Sequence, residues 1–325
     1  LNPMPAFNAP EVQLQSDYQS GDSDATRTAY GHALEKLGAE DDQVVALDGD
    51  VKNSTRTSFF FKKFPERSFE CYIAEQNMLG MAAGLQARGK RPHVATFAAF
   101  LTRAHDQIRM AAYSQADIKI SGSHAGVAIG EDGPSQMGLE DVAMMRSLHG
   151  SVVLSPADAV STQKLTARVN KHHGLSYLRT MRGKTPVIYD AKEEFEIGGS
   201  KILKEAAEDE GYILASGIGV REALDAADQL KEKGREVGVV DVYSIKPLDV
   251  ATLKKLAEKA SFFVTVEDHY FEGGMGEAVA SAVGRYTHVY NQAVYKLSHS
   301  GDPDQLLAEQ GIDANGIVAR IEEIK

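Results

Sequence analysis

Apolar positions recur along most of the chain at two spacings, and the two alternate. Thr26 to Leu37 carries apolar residues three and four apart, which predicts a helix with Asp24 as its N-cap and Gly38 as its stop. Val44 to Leu47 is a short continuous apolar run, a buried strand ending in Asp48-Gly49-Asp50. Glu75 to Ala87, rich in Ala, Gly and Met and closed by Gly89, predicts a second helix. Pro92 to Thr96 predicts a strand, and Leu101 to Ser114 a helix with Ile108, Ala111 and Ala112 on one side. Ile118 to Ser121 reads as a strand that runs into a Gly-rich loop through Gly133, and Leu175 to Leu178 as another strand. Strands and helices alternating at these lengths predict an α/β fold whose sheet is mostly parallel and covered on both faces.

The pattern restarts after an acidic stretch, Glu193-Glu194-Phe195-Glu196, followed by Gly198-Gly199. Tyr212 to Ala215, Val237 to Val242 and Phe262 to Val266 predict strands, with helices at Val220 to Lys233 and Asp249 to Ala260 between them. That βαβαβ order suits one small doubly wound domain. The first 22 residues hold three of the ten prolines and no periodic pattern, and read as an extended arm. The expected organisation is an arm at 1–22 and two doubly wound, mostly parallel-sheet domains at 23–190 and 191–325.

Composition narrows the chemistry. The 325 residues carry 35 Lys+Arg against 46 Asp+Glu, a net charge of −11, which argues against nucleic acid or an anionic membrane as partner. A local basic pocket for one small anion remains compatible with it. The single cysteine, Cys71, excludes a disulfide framework and a Cys-based metal cage, and fits a reducing, cytoplasmic compartment. No apolar run approaches the roughly 18 residues that a membrane span needs. Leu1 to Asp22 lacks the charged and apolar regions of a signal peptide, and Leu1 in place of Met leaves the natural start open.

Most motif-like segments have plain structural readings. Gly217-Ile218-Gly219 follows a strand and precedes a helix, but Glu222 stands where a dinucleotide fingerprint needs its third glycine, so a tight turn is favoured. Gly273-Gly274-Met275-Gly276 reads as a packed helix entry. The ten histidines form no His-x-x-x-His pair, so no metal ligands are predicted. Two segments stand out. Glu75 opens an otherwise apolar helix, either as a dipole partner or as a buried carboxylate poised for proton transfer. Gly122 to Gly126 and Gly130 to Gln136 put His124, Glu131, Asp132 and an amide into a Gly-rich loop at a strand end, where open α/β sheets carry function.

These segments carry a family resemblance. Tyr72-Ile73-Ala74-Glu75-Gln76-Asn77-Met78, Thr96-Phe97-Ala98-Ala99-Phe100 and Gly130-Glu131-Asp132-Gly133-Pro134-Ser135-Gln136 closely resemble transketolase, in the same order and at similar spacing. So do Leu47-Asp48-Gly49-Asp50 with Asn53-Ser54, Arg179-Thr180-Met181-Arg182, Ile245-Lys246-Pro247-Leu248-Asp249 and Val266-Glu267-Asp268-His269-Tyr270. The likeness runs from about Asp24 to the C-terminus and looks closest to the animal-type branch, since Ser135-Gln136 stands where many bacterial enzymes have Thr-His. It implies a pyrimidine-binding domain followed by a transketolase C-terminal domain. The family's Gly-Asp-Gly…Asn signature for diphosphate and metal is not found, and Asp48-Gly49-Asp50 is not that motif.

What the resemblance implies is therefore the C-terminal half of a thiamine diphosphate-dependent transketolase of the pentose phosphate pathway. Such an enzyme moves a two-carbon ketol unit from a ketose phosphate to an aldose phosphate. Diphosphate and a divalent cation (magnesium or calcium) would be held by an N-terminal half or subunit, with a homodimer of this chain inside a heterotetramer. Glu75 matches the glutamate that hydrogen-bonds a pyrimidine nitrogen of the cofactor, and Phe97 and Phe100 match aromatics that stack on its ring. Arg103 and Gln136 would line the ring pocket. His124 and Asp132 match groups that face the sugar, His124 also its phosphate end, and Arg27, Ser54 and Arg182 match the phosphate clamp. Two other readings compete: the beta chain of a 2-oxo acid dehydrogenase, whose substrate has no phosphate, and a non-catalytic transketolase-like interaction subunit.

Overall fold

The computed structural model describes residues 8–10, 12 and 14–324. The arm expected at 1–22 therefore lies partly outside the described residues. The chain is an α/β protein built on two main sheets. In the larger, six parallel strands lie in the order Val152–Leu154, Ser176–Arg179, Lys119–Ser123, Arg91–Phe97, Val44–Asp48 and Ser68–Glu70. A seventh strand, Ser244–Lys246, comes from the far half of the sequence and adds antiparallel to Val152–Leu154. The smaller sheet runs His288–Val294, Phe262–Tyr270, Tyr212–Ala215, Gly238–Asp241 and Lys201–Lys204, with only the last antiparallel to its neighbour. A separate ribbon pairs Ser23–Ala25 with Lys184–Pro186. Among the described residues no helix is long and apolar enough to cross a membrane.

The helix Glu75–Ala87 buries Met78, Leu79, Ala82 and Gln86, positions three and four apart that form one face. The strand Arg91–Phe97 is buried throughout, as a central parallel strand covered on both faces must be. One apolar cluster runs through both sheets' layers, joining Val45, Leu79, Val94 and Ile120 to Leu214, Val240 and Phe263. At the junction Phe195 packs edge-on against both Tyr189 (4.9 Å, 86°) and Tyr243 (5.2 Å, 74°).

Several expected boundaries move. Thr26–Glu40 is helical, but Ala25 and not Asp24 occupies the N-cap, and no side chain among the described residues caps it. The Asp24 carboxylate instead accepts from Tyr18 Oη at 2.8 Å. Nor does Gly38 stop that helix: it lies inside it, and its missing side chain makes room for the Phe60 ring, which a Cβ there would approach within 2.4 Å. The single helix expected from Leu101 to Ser114 is a 3₁₀ segment, Ala98–Ala104, followed by an α-helix, His105–Tyr113. The buried residues of the first piece, Ala98, Leu101 and Ala104, are each three apart, the period of a 3₁₀ turn. Gly217 has φ +57° and sits in a tight turn against Ser155, as the favoured reading of that segment required.

Candidate active site

The candidate residues gather at the carboxyl ends of the parallel strands of the larger sheet, where open α/β sheets place ligands. Each end supplies a piece. After Val44–Asp48 comes the loop with Ser54; after Arg91–Phe97 comes the 3₁₀ segment with Phe100 and Arg103. After Lys119–Ser123 comes the His124 loop, and after Ser176–Arg179 comes Arg182.

Glu75 is the first residue of its helix and only 2% exposed. A buried carboxylate needs a partner, and it has one: Arg103 Nη1 donates to its Oε1 at 2.5 Å. The backbone of Arg103 is tied in turn by Gln76 Nε2, which donates to the Arg103 carbonyl at 3.0 Å. The Arg103 guanidinium also lies over the Phe100 ring at 4.6 Å. Phe100 stacks on Phe97 at 5.1 Å, and Phe97 stacks on the His124 ring at 3.9 Å. Carboxylate, guanidinium, two phenyl rings and an imidazole thus form one continuous run. Within it Phe97 is buried and Phe100 is the partly exposed ring. Just before Glu75, Tyr72 (φ +53°) and Ile73 are 68% and 73% exposed, an unusual exposure for large apolar side chains.

At the far end of the run the charge turns positive. Arg27 Nη1 donates to the Ser54 carbonyl at 2.9 Å and to His124 Nε2 at 3.3 Å. A guanidinium can only donate, so Nε2 accepts, and the neutral ring carries its proton on Nδ1, 2.8 Å from Ser123 Oγ. Burial, then Arg27, Arg182 and Arg56, push the His124 imidazole down to about 3, so it is uncharged at neutral pH. Its φ of +59° is uncommon for a residue with a Cβ and turns the chain sharply at this point. Burial and then the charges of Arg56 and Arg182 lower Arg27 as well. The Nε groups of Arg27 and Arg56 are buried without a hydrogen-bond partner among the described residues.

Arg56 is the member of this cluster that sequence reasoning missed. It lies two residues beyond Ser54 and turns inward through a left-handed backbone, φ +68°. Asp48 shapes that loop: its carboxylate accepts from Val51 N at 2.7 Å, Thr55 Oγ1 at 2.6 Å and Thr57 Oγ1 at 2.7 Å. Burial nonetheless raises Asp48 to about 6. Among the described residues no group of three or more His, Cys, Asp or Glu side chains could hold a metal ion.

The remaining candidates are nearby but differently engaged. Ser54 meets Arg27 through its carbonyl rather than its hydroxyl. Arg182 Nη1 donates to the Ile129 carbonyl at 2.8 Å and to Glu131 Oε2 at 3.0 Å, with Asp132 Oδ1 at 3.6 Å. Asp132 and Glu131 are exposed, so those ion pairs are weak and exchangeable. Gln136 is half-buried at the end of the loop, its backbone N–H bonded to the Gly133 carbonyl.

A buried acid at a helix start, a cationic pocket across the sheet ends and a second doubly wound domain packed behind them define a two-domain α/β chain with its candidate site at the strand ends of the first domain. Residues 22–187 match the family description "Transketolase, pyrimidine binding domain" and residues 200–317 match "Transketolase, C-terminal domain". The chain belongs to the transketolase family. It is 47% identical to transketolase-like protein 2 of Mus musculus, over 99% of this chain and 53% of that protein. To transketolase of Homo sapiens it is 44% identical, over 98% of this chain and 53% of that protein. The chain thus spans about half the length of the curated relatives it matches. Among solved structures it is similar to a split gene transketolase described as an inactive beta4 tetramer, with 38% identity and a TM-score of 0.83, covering 92% of this chain and 97% of that one. Transketolase of Campylobacter jejuni shares the fold at a TM-score of 0.83 and 22% identity, over 95% of this chain and 48% of that one.

Proposed function

We propose that this chain is the C-terminal half of a thiamine diphosphate-dependent transketolase, completed by a partner that supplies the diphosphate- and metal-binding domain. The observation that carries the reading is the unbroken run from Glu75 through Phe100, Phe97 and His124 to the arginines at positions 27, 56 and 182. It has an acid end suited to a heterocycle and a cationic end suited to a phosphate ester.

The residues fit the ring end of thiamine diphosphate. Glu75 is buried yet reached from outside by the half-exposed Arg103, so a ring nitrogen can replace that guanidinium as its partner. Phe100 offers the stacking surface. When bound, thiamine diphosphate supplies the nucleophilic carbon and electron sink that carbon–carbon bond cleavage needs. Glu75 holds the pyrimidine and fixes its protonation state. His124 Nε2, an acceptor on a neutral ring, takes a hydrogen bond from a substrate hydroxyl in place of the Arg27 guanidinium, and Asp132 faces the sugar from the loop. Arg27, Arg56 and Arg182 bind the phosphate, which offsets the burial and the repulsion that together lower Arg27 and satisfies the buried Nε groups.

The arginine cluster weighs against a 2-oxo acid as substrate, since a single carboxylate does not need three guanidinium groups. The exposed Tyr72 and Ile73, beside the acid, offer a surface for the completing chain, with two copies of this chain at the centre of a heterotetramer. A soluble, cytoplasmic setting and magnesium as the cation go with this reading. The test is to mix the chain with its N-terminal counterpart, thiamine diphosphate and magnesium, and supply xylulose 5-phosphate with ribose 5-phosphate. Seven-carbon ketose phosphate is expected; no ketol transfer with an intact partner overturns the assignment.

A further inference from the structure

The loop that carries His124 and Asp132 belongs to the first domain by sequence, yet its shape is set by the second. Gly126, Gly130 and Gly133 all have positive φ, +85°, +80° and +81°, conformations in which a side chain is strained. Each also lies against a different piece of the C-terminal domain. A Cβ on Gly126 would come within 2.0 Å of Asp268 Oδ2. One on Gly130 would come within 2.9 Å of Pro303, and one on Gly133 within 2.4 Å of Ser300 Oγ. Between the first two glycines, Asp268 accepts two successive backbone bonds, from Val127 N at 2.7 Å and Ala128 N at 3.0 Å. The apolar residues of the loop, Val127 and Ile129, are fully buried in a cluster with Ile218, Val266 and Leu306 of the second domain. Arg179 closes the arrangement: its Nη2 donates to the Asp268 carbonyl and to the Gly138 carbonyl, both at 2.8 Å. The Gly138 carbonyl also accepts from Gly126 N at 2.9 Å.

The geometry assigns Asp268 as a positioning residue: the C-terminal domain, through Asp268, holds the His124 loop in its binding conformation. This inference rests on the proposed transketolase function for its consequence, but its geometry does not. The two N–H groups that Asp268 takes are the second and third residues after Ala125, and His124 immediately precedes that residue with a left-handed backbone. Releasing them frees the turn that points the imidazole at Arg27. A domain that supplies none of the candidate site residues thereby controls the acceptor nitrogen at the pocket.

The test uses the full chain and two readouts, the carbon and nitrogen NMR signals of the His124 ring and titration with inorganic phosphate. In Asp268→Ala, checked to be folded by circular dichroism, the His124 signals should shift while those of His93 and His288 stay in place. Phosphate should bind at least tenfold more weakly. A variant with a lower melting temperature but wild-type His124 signals and wild-type phosphate affinity overturns the inference, because only a structural role would remain. Asp268→Asn, which keeps one acceptor oxygen, should give a partial shift, and it decides by the same criteria where Asp268→Ala does not fold. If the wild-type chain binds no phosphate, the phosphate reading of the pocket falls, and the His124 signals alone decide the role of Asp268.

Discussion

Asp241 ends a strand of the smaller sheet, fully buried at the junction of the two domains. Its Oδ2 accepts from Tyr189 Oη at 2.7 Å, while Oδ1 is buried with no partner among the described residues. Burial is the main cause that raises it to about 8; Asp158 adds to the rise, and Tyr189 and Lys201 oppose it. In the unfolded chain the same group titrates near about 4. The folded value is the higher one, so the stabilising contribution is complete below about pH 4 and is lost as pH rises toward about 8. Within that window each pH unit removes about 1.4 kcal/mol, or about 3 kcal/mol between pH 5 and pH 7. Asp241→Asn removes the titration while keeping the shape. Its own unmet amide bonds shift the curve by a constant, which cancels in the slope. Urea unfolding followed by circular dichroism at pH 5, 6 and 7 should show the variant gaining on the wild type by about 1.4 kcal/mol per unit. Glu267, raised to about 7 mainly by burial, slopes both curves alike and leaves the difference untouched. Parallel curves would refute the reasoning.

Two further outcomes follow from the geometry. Arg56→Gln keeps a side chain that tolerates the left-handed turn but removes one of the three charges, so inorganic phosphate should bind about tenfold more weakly with an unchanged melting temperature, the effect of losing a charged hydrogen bond; calorimetry on the chain alone reads this. Gly122→Ala would place a Cβ 2.1 Å from Tyr177 Oη, which donates to the buried Asp141 at 2.5 Å. Overpacking at that point should cost about 3 kcal/mol in urea unfolding, with a wild-type midpoint as the contrary result.

What was legible in the sequence depended on how local its cause was. Glu75 stood out because Met78, Leu79 and Ala82 make its helix apolar, and burial of that helix carries the acid inside with it. The βαβαβ order of the second domain was legible for the same reason, since each strand and helix announces its own period. Arg56 was not, because its approach to Arg27 depends on a left-handed residue and on Asp48 holding Thr55 and Thr57. The strand Ser244–Lys246 pairs across the domain junction with Val152–Leu154, and nothing in three residues signals a partner ninety positions away. A still longer separation, 141 and 140 positions, hid the grip of Asp268 on Val127 and Ala128. Asp24 shows the converse failure: a residue suited to capping was taken up by Tyr18, six residues earlier.

The central claim is that Glu75 acts on a cofactor which only a completed assembly can hold. It is tested most directly by comparing wild-type chain and Glu75→Ala, each mixed with the N-terminal counterpart, thiamine diphosphate and magnesium. Ketol transfer and assembly size are measured in the same sample. Turnover should fall by at least about a hundredfold, the lower bound for losing acid–base assistance, while the assembly keeps its size. Near-normal turnover in Glu75→Ala would contradict the account.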